Sequence, residues 1–241
     1  MQYGELSFVY DALMYDMPYE KWAEFIFNNL GDANVIAELG CGTGNITEII
    51  SKKYDVTALD ISEDMLEIAR QKLLKSGIST RLIQGDMCNF SLHKEVDGIV
   101  CACDGINYLT TPAKVKQAFL NVYKNVKTGG RFIFDISSKN KLSSMNNQLY
   151  SEDCDDATYI WRNKIVNDLL EMEITFFVPK DDETYLRFDE HHIQRMHTVD
   201  EISKWLNESG FKIISITDDY TNNSVKEDTQ RITFCAEKVE R

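Results

Sequence analysis

The sequence predicts an α/β protein whose core is a parallel sheet covered by helices on both faces. Between residues 34 and 136, short apolar segments alternate regularly with segments that have helical spacing. The apolar segments are nearly continuous, which is typical of strands buried on both faces. Because a strand, a helix and another strand in succession favour a parallel pair, the repeated alternation predicts one parallel sheet.

Five strands and three helices account for this region. The strands are expected at residues 34–39, 55–60, 80–85, 96–103 and 130–136. The helices are expected at residues 45–53, 63–77 and 112–125. Ser62 stands where the second helix needs an N-cap, and Gly77 marks the end of that helix.

The pattern changes after residue 137. Three β-rich stretches between residues 157 and 196 are separated by short polar connections, which predicts consecutive antiparallel hairpins. Thr198 and Glu201 form a capping-box pattern at the start of a further helix, and two more strands follow it. We therefore expect a helical N-terminal cap over 1–33, a core over 34–137 plus 197–241, and an antiparallel insertion over 138–196.

Composition restricts the partners and the compartment. The net charge of −13 repels phosphate backbones and makes a nucleic-acid partner unfavourable. No run of about 18 apolar residues is present, so no membrane span is expected. The start of the chain lacks the basic and apolar regions of a signal peptide, and the six cysteines are scattered. We therefore expect reduced thiols and a cytoplasmic protein.

The stretch VIAELGCGTGNIT, residues 35–47, combines a strand, a glycine-rich turn and the start of a helix. A phosphate-binding loop needs a lysine and a hydroxyl after its last glycine, but Asn45 and Ile46 follow here. A dinucleotide fingerprint needs a glycine at the sixth position from Gly40, where Asn45 stands. A different ligand and a tight turn without any ligand both remain open for this loop alone.

Three further features lie at the ends of neighbouring strands. Asp60 ends the second strand, Asp86 follows the third, and the stretch CDGINY follows the fourth. The carboxyl ends of strands in an open α/β sheet meet at one crevice, where ligands bind. A carboxylate at the end of the second strand is placed to accept both hydroxyls of a ribose. The sequence therefore predicts one pocket beside the glycine loop.

The succession ELGCGTG, LDIS, QGDM and VKTGGRFIFDI resembles the class I S-adenosylmethionine-dependent methyltransferases. The N-terminal FVYDALMYDMPYEKW and the β insertion resemble the branch that contains glycine and amino-sugar N-methyltransferases. The resemblance implies a Rossmann-like, mostly parallel seven-stranded sheet of order 3-2-1-4-5-7-6. Its last strand is antiparallel, helices cover both faces, and the insertion forms an antiparallel β lid. The implied cofactor is S-adenosyl-L-methionine.

The same resemblance implies roles for particular residues. Glu38, Gly40 and Gly42 are implied to line the methionine moiety, and Asp60 to hold the ribose. Asp86 is implied to take the adenine edge. Cys41 stands at a position that varies in the family, and no NPPY-type tetrapeptide follows the fourth strand. The residues expected at the cofactor are Glu38, Gly40, Cys41, Gly42, Gly44, Asp60, Ile61, Met65, Asp86, Met87 and Cys103.

We expect in-line methyl displacement to a small polar acceptor, with an amine favoured. A general base is needed only when the acceptor is protonated as it attacks. The candidates for this role are Asp104, His192, Tyr108 and Tyr15. No metal site is expected, because His191 and His197 lack an acidic or cysteine residue that completes a ligand set.

Two other hypotheses stay open from the sequence. One is a tRNA or protein methyltransferase, and the other is a regulatory module that binds the cofactor without turnover. The insertion has two open interpretations as well, a lid over the active site and a homodimer interface.

Overall fold

The computed structural model describes residues 9–153, 157–180 and 184–240. The first eight residues of the expected N-terminal cap lie outside this part of the chain. Residues 154–156 and 181–183 of the expected insertion, and Arg241 of the expected core, also lie outside it.

The fold is built from eleven strands in two sheets within the described residues. The strands are β1 (Val35–Leu39), β2 (Asp55–Asp60), β3 (Arg81–Gln84), β4 (Val96–Cys101), β5 (Val126–Ser137), β6 (Leu149–Asp153), β7 (Thr158–Val166), β8 (Leu169–Pro179), β9 (Tyr185–Arg195), β10 (Phe211–Asp218) and β11 (Arg231–Lys238). The helices are α1 (Tyr10–Leu13), α2 (Tyr19–Leu30), α3 (Asn45–Ile50), α4 (Glu63–Lys75), α5 (Pro112–Asn125), α6 (Lys139–Ser144) and α7 (Val199–Ser209), and a short 3₁₀ helix spans Gly105–Tyr108.

The main sheet confirms the predicted topology. Its order is β10-β11-β5-β4-β1-β2-β3, and β11 runs antiparallel to both of its neighbours. When the strands of this sheet alone are numbered along the chain, the order is the expected 3-2-1-4-5-7-6. The carboxyl ends of β1, β2 and β4 therefore meet at one edge, as the sequence predicts.

Alternating side chains of β5 pack against different helices on the two faces of the sheet. Phe132 and Phe134 lie in an apolar cluster with Phe119 of α5 and Trp205 of α7. Ile133 lies in the opposite cluster with Trp22 of α2, together with apolar residues of α3 and α4. The near-continuous apolar sequence of β5 is thus explained by helices on both faces.

The predicted helix caps are confirmed by hydrogen bonds. Ser62 Oγ accepts a hydrogen bond from the backbone N–H of Met65 at 3.3 Å. Thr198 and Glu201 form the reciprocal capping box at the start of α7. No helix in the described parts of the chain is both long and apolar enough to cross a membrane.

The inserted sheet has the order β6-β7-β8-β9 and is antiparallel throughout. Three of its strands match the expected β-rich stretches, but β6 and the short helix α6 are additional elements. Every residue of β6 is exposed. Its sequence LYSED does not alternate between apolar and polar residues, so it lacks the pattern that identifies a half-buried strand.

Among the five strands predicted between residues 34 and 136, two boundaries were wrong by two residues or more. β4 ends at Cys101 instead of residue 103, because Cys103 and Asp104 adopt left-handed backbone angles, with φ of 60° and 51°. β5 begins at Val126 instead of after the two glycines. The strand continues through Gly129, with φ of 78°, by means of a register irregularity opposite β4.

Gly44 offers a test of backbone geometry in the glycine loop. It has φ of 81°, and a Cβ added there would lie 3.1 Å from the Cβ of Ala69 on α4. Gly77 also has a positive φ, of 70°, but an added Cβ meets nothing within 4 Å. Gly77→Ala should cost about 1–2 kcal/mol for its left-handed backbone. Gly44→Ala should cost at least about 1 kcal/mol more, because its neighbours must also move.

Urea unfolding of both variants and the parent protein measures this difference. Equal losses at the two positions would show that α4 does not restrict the loop.

Candidate active site

A cavity of about 530 Å³ opens at the carboxyl ends of β1, β2 and β4. The glycine loop and the ends of β2 and β3 form one wall, and the inserted sheet forms another. The segment around α1 contributes a third wall through Tyr10, Leu13, Met14 and Met17. The cavity is therefore enclosed by parts of the chain that are distant in sequence.

Eight of the eleven residues expected at the cofactor line this cavity. They are Gly40, Gly42, Asp60, Ile61, Met65, Asp86, Met87 and Cys103. An added Cβ at Gly42 would meet nothing within 4 Å, so the space that a side chain would fill is open. The glycine therefore leaves its backbone accessible to a ligand.

Asp60 connects the glycine loop to the start of α4. Its Oδ2 accepts a hydrogen bond from Gly42 N–H at 2.8 Å, and its Oδ1 accepts one from Ser62 N–H at 2.9 Å. Burial raises the pKa of Asp60, and these backbone donors act in the opposite direction. Each carboxylate oxygen retains a second lone pair, so Asp60 can hold the loop and still accept hydrogen bonds from a ligand.

Glu38, Cys41 and Gly44 are not in the cavity wall. Glu38 is buried under the loop, where its Oε2 accepts a hydrogen bond from Thr47 Oγ1 at 2.6 Å. Burial raises the pKa of Glu38 to about 8. The side chain of Cys41 packs into the apolar core, and Gly44 packs against α4 as described above. These residues support the loop from below.

Asp86 and its neighbours form the outer part of the wall after β3. Asp86 is exposed, and its Oδ1 accepts a hydrogen bond from the backbone N–H of Cys88 at 2.8 Å. Cys88 lines the cavity too, and burial raises the pKa of its thiol to about 11. This wall therefore presents one carboxylate beside a neutral thiol.

Asp104 is held at the cavity by a buried polar network. Its Oδ2 accepts a hydrogen bond from Gln194 Nε2 at 2.7 Å, and its Oδ1 lies 3.3 Å from Arg231 Nη1. Arg231 also pairs with Asp135, which accepts hydrogen bonds from Asp104 N–H at 2.9 Å and Tyr220 OH at 2.7 Å. One guanidinium is thus shared by Asp104 and Asp135, and its Nε lies 3.9 Å from Oδ1 of a third, more exposed carboxylate, Asp219.

The other candidate catalytic residues occupy different places. Tyr108 and His192 line the cavity, with their ring centroids 6.1 Å apart in an edge-on arrangement. Burial, followed by the nearby His191, lowers the pKa of His192 to about 4, so the ring is neutral at pH 7. Tyr15 is 76% exposed and lies outside the cavity wall. Its expected role is not supported, because Tyr10 takes the place in the wall.

Cys103 lies beside Asp104 and is the last of the predicted residues at this end of the cavity. Burial raises the pKa of its thiol to about 12, and the negative charge of Asp104 adds to the effect. The thiol is therefore neutral.

A contact that the sequence did not indicate fixes α1 over the glycine loop. Asp11 accepts hydrogen bonds from Thr43 Oγ1 at 2.6 Å and from Asn45 Nδ2 at 3.0 Å. It also forms an ion pair with Lys72 at 2.7 Å. These bonds lower the pKa of Asp11 against the opposing effect of its burial. No local sequence pattern identifies Asp11, because its partners lie more than thirty residues away.

The histidines do not form a metal centre in the part of the chain that the structure describes. No group of three or more metal-binding side chains is found there. His197 instead lies with its Nδ1 2.9 Å from Arg195 Nη1 and its Nε2 3.2 Å from the carbonyl oxygen of Ile106. Because Arg195 can only donate, the neutral ring accepts at Nδ1 and donates from Nε2.

Comparison with known proteins agrees with this architecture. A family model described as a methyltransferase domain matches residues 36–130. A protein of Geobacillus sp. (strain WCH70) that is assigned to the methyltransferases is 32% identical, over 99% of this chain and 100% of that protein. The crystal structure of an S-adenosylmethionine-dependent methyltransferase from Clostridium acetobutylicum ATCC 824 is 36% identical, covers 99% of each chain and has a TM-score of 0.91.

More distantly related enzymes share the fold. The structure of CalS10 with S-adenosylmethionine bound, an amino pentose methyltransferase from Micromonospora echinaspora, has a TM-score of 0.77 at 20% identity. The likeness covers 96% of this chain and 97% of that one. At this identity the likeness is one of fold.

The chain belongs to the S-adenosylmethionine-dependent methyltransferases. Its cofactor is S-adenosyl-L-methionine, and it is a transferase. The cavity fits this cofactor, since it combines an open glycine backbone with a carboxylate at the end of β2.

Removal of Arg231 tests the buried network. Arg231→Met leaves the fully buried Asp135 without its cation, so the free energy of unfolding should fall by about 3–5 kcal/mol. Lys21→Met removes a more exposed ion pair with Asp219, and it should change the free energy of unfolding by less than about 1 kcal/mol. Urea unfolding at neutral pH measures both variants. A loss at Arg231 as small as that at Lys21 would contradict the network's structural role.

The buried His192 predicts a specific pH dependence. Its pKa is about 4 in the folded protein against an ordinary 6.5, so the folded state resists protonation more than the unfolded state. The stability that this residue contributes is complete above pH 6.5 and is lost as the pH falls towards 4. Between pH 6.5 and pH 4, the free energy of unfolding of His192→Phe should therefore fall by about 3 kcal/mol less than that of the parent protein. Urea unfolding over the pH range checks this, and parallel pH curves would refute it.

Proposed function

We propose that this methyltransferase acts on a small polar acceptor and methylates an amine. The observation that carries the proposal is Asp104, a carboxylate held at the cavity by Gln194 and Arg231. An amine that donates a hydrogen bond to Asp104 is oriented by it. As the new bond to carbon forms, positive charge grows on the nitrogen, and the carboxylate stabilises that charge.

This chain shares its fold, over 96% of its own length, with an amino pentose methyltransferase. That likeness supports the proposal of an amine acceptor. The bound cofactor supplies an electrophilic methyl group on a sulfonium. Holding the acceptor nitrogen in line with that methyl group provides most of the rate, so the residues that fix the two molecules matter more than a strong base. Asp104 is the proposed group that takes up the proton released by the acceptor.

The residues of the cofactor wall have proposed roles of their own. Asp60 accepts the ribose hydroxyls, and Gly40 and Gly42 let the backbone approach the methionine moiety. Ile61 and Met65 contact the adenine ring, and Asp86 with the backbone of Met87 takes its edge. All of these residues line the cavity.

The remaining walls have proposed roles in excluding water. Residues of α1 and of the inserted sheet enclose the cavity from two sides. His192 is neutral at pH 7 and is the proposed hydrogen-bonding partner of the acceptor together with Tyr108. The insertion is therefore proposed to act as a lid.

We propose further that nucleic acid is not the acceptor, because the net charge of −13 opposes phosphate backbones. A cytoplasmic location is supported by the five free cysteines in the described residues.

Cofactor binding by an Asp60 variant tests the proposed site. Asp60→Asn replaces one hydrogen-bond acceptor by a donor, so the affinity for S-adenosylhomocysteine should fall by more than about tenfold. Glu63→Gln is the matched control, because Glu63 lies three residues away, is exposed and does not line the cavity. Isothermal titration calorimetry measures both variants after unfolding curves show that they are folded. An unchanged affinity in Asp60→Asn would remove its proposed role.

A further inference from the structure

The half of the cavity under the inserted sheet differs from the half beside the glycine loop. Its wall carries apolar side chains from α6, from the residues after it and from the two central strands of the insertion. They include Leu142, Met145, Trp161, Met172, Ile174 and Phe176. Such a wall favours an occupant with an apolar body.

Lys141 is a cation in this apolar half. It lies on α6, and its ammonium donates a hydrogen bond to Ser137 Oγ at 3.2 Å. Ser137 is buried and lines the cavity as well. None of the ion pairs among the described residues includes Lys141. Arg231, by contrast, has its charge matched by Asp104 and Asp135. Lys141 therefore has positive charge available for a ligand.

An aromatic ring, that of Trp161, belongs to the same apolar group. Trp161 lines the cavity, and its indole Nε1 is buried without a hydrogen-bond partner. Trp161 packs in one apolar cluster with Leu142, Met145 and Met172, and Leu142 directly follows Lys141 in sequence. Because Nε1 is buried while the residue lines the cavity, the ring offers a ligand an apolar contact surface.

We propose that the methyl acceptor is an amphipathic carboxylate, in which an apolar body packs on Trp161 and the carboxylate pairs with Lys141. The proposal rests on the proposed function, because the acceptor must occupy the same cavity. A single ammonium matches the single charge of a carboxylate, whereas a phosphate ester carries nearly two charges. Asp104 and Lys141 then select opposite ends of one molecule, a nitrogen at the first and an acidic group at the second.

Two probes of similar size and different charge test this inference. Phenylacetate and phenethyl alcohol are each titrated into the protein loaded with S-adenosylhomocysteine, by isothermal titration calorimetry. Phenylacetate should bind about tenfold more tightly than the alcohol. Lys141→Gln should remove this preference. Lys139→Gln should keep it, because Lys139 is an exposed lysine on the same helix and lies outside the cavity wall.

Three results overturn the inference. In the first, phenylacetate binds no more tightly than phenethyl alcohol. In the second, the preference for phenylacetate is unchanged in Lys141→Gln. In the third, Lys141→Gln binds S-adenosylhomocysteine more weakly than the parent protein does. In the last case Lys141 serves the cofactor. Failure of the unmodified protein to bind S-adenosylhomocysteine contradicts the proposed function instead, so the two failures are distinguishable.

Discussion

The position of Arg231 between two carboxylates is the constraint on which the site depends. Arg231 begins β11, Asp104 follows β4 and Asp135 lies in β5, so one guanidinium fixes the ends of three elements. Its planar group also lies 4.7 Å from the ring centroid of Trp22 on α2. Removing such a charge from water is costly, and the cost is offset only while every partner stays in place.

The network explains why the backbone after β4 can be strained. Left-handed angles at two successive non-glycine residues, Cys103 and Asp104, cost free energy that the surroundings must supply. The bond from Asp104 N–H to Asp135, and the contacts of its carboxylate with Gln194 and Arg231, hold this conformation. Asp104 lines the cavity in this conformation, so the buried ion-pair network fixes where its carboxylate lies.

The sequence predicted those features whose cause is local. Ser62 and Thr198 cap helices through atoms three residues away, and the glycine loop follows from backbone angles that other residues rarely adopt. Asp60 was identifiable because strand ends of a parallel sheet converge. The fold class followed from periodicity, and the strand order from resemblance to a known family.

The half of the cavity under the inserted sheet was not predictable in the same way. Arg231 meets Asp104 across 127 residues, and Gln194 meets it across 90, so neither contact leaves a mark in nearby sequence. Lys141 lies on a short helix that has no strong periodic signal, and Tyr15 was indistinguishable from Tyr10 without the path of α1. The residues that line this half of the cavity come from separate elements, and only their packing brings them together.

The order of the main sheet has a consequence for how the chain acquires this site. β11 follows β10 in sequence but lies between β5 and β10, so β10 joins the sheet only through β11. During synthesis from the N-terminus, β5 therefore keeps an unpaired edge, with its backbone donors and acceptors exposed, until β11 has been made. Arg231 arrives with that same strand. The addition of β11 to the sheet and the pairing of Arg231 with Asp104 and Asp135 are consequently one event. The active site is therefore completed only when the main sheet is complete.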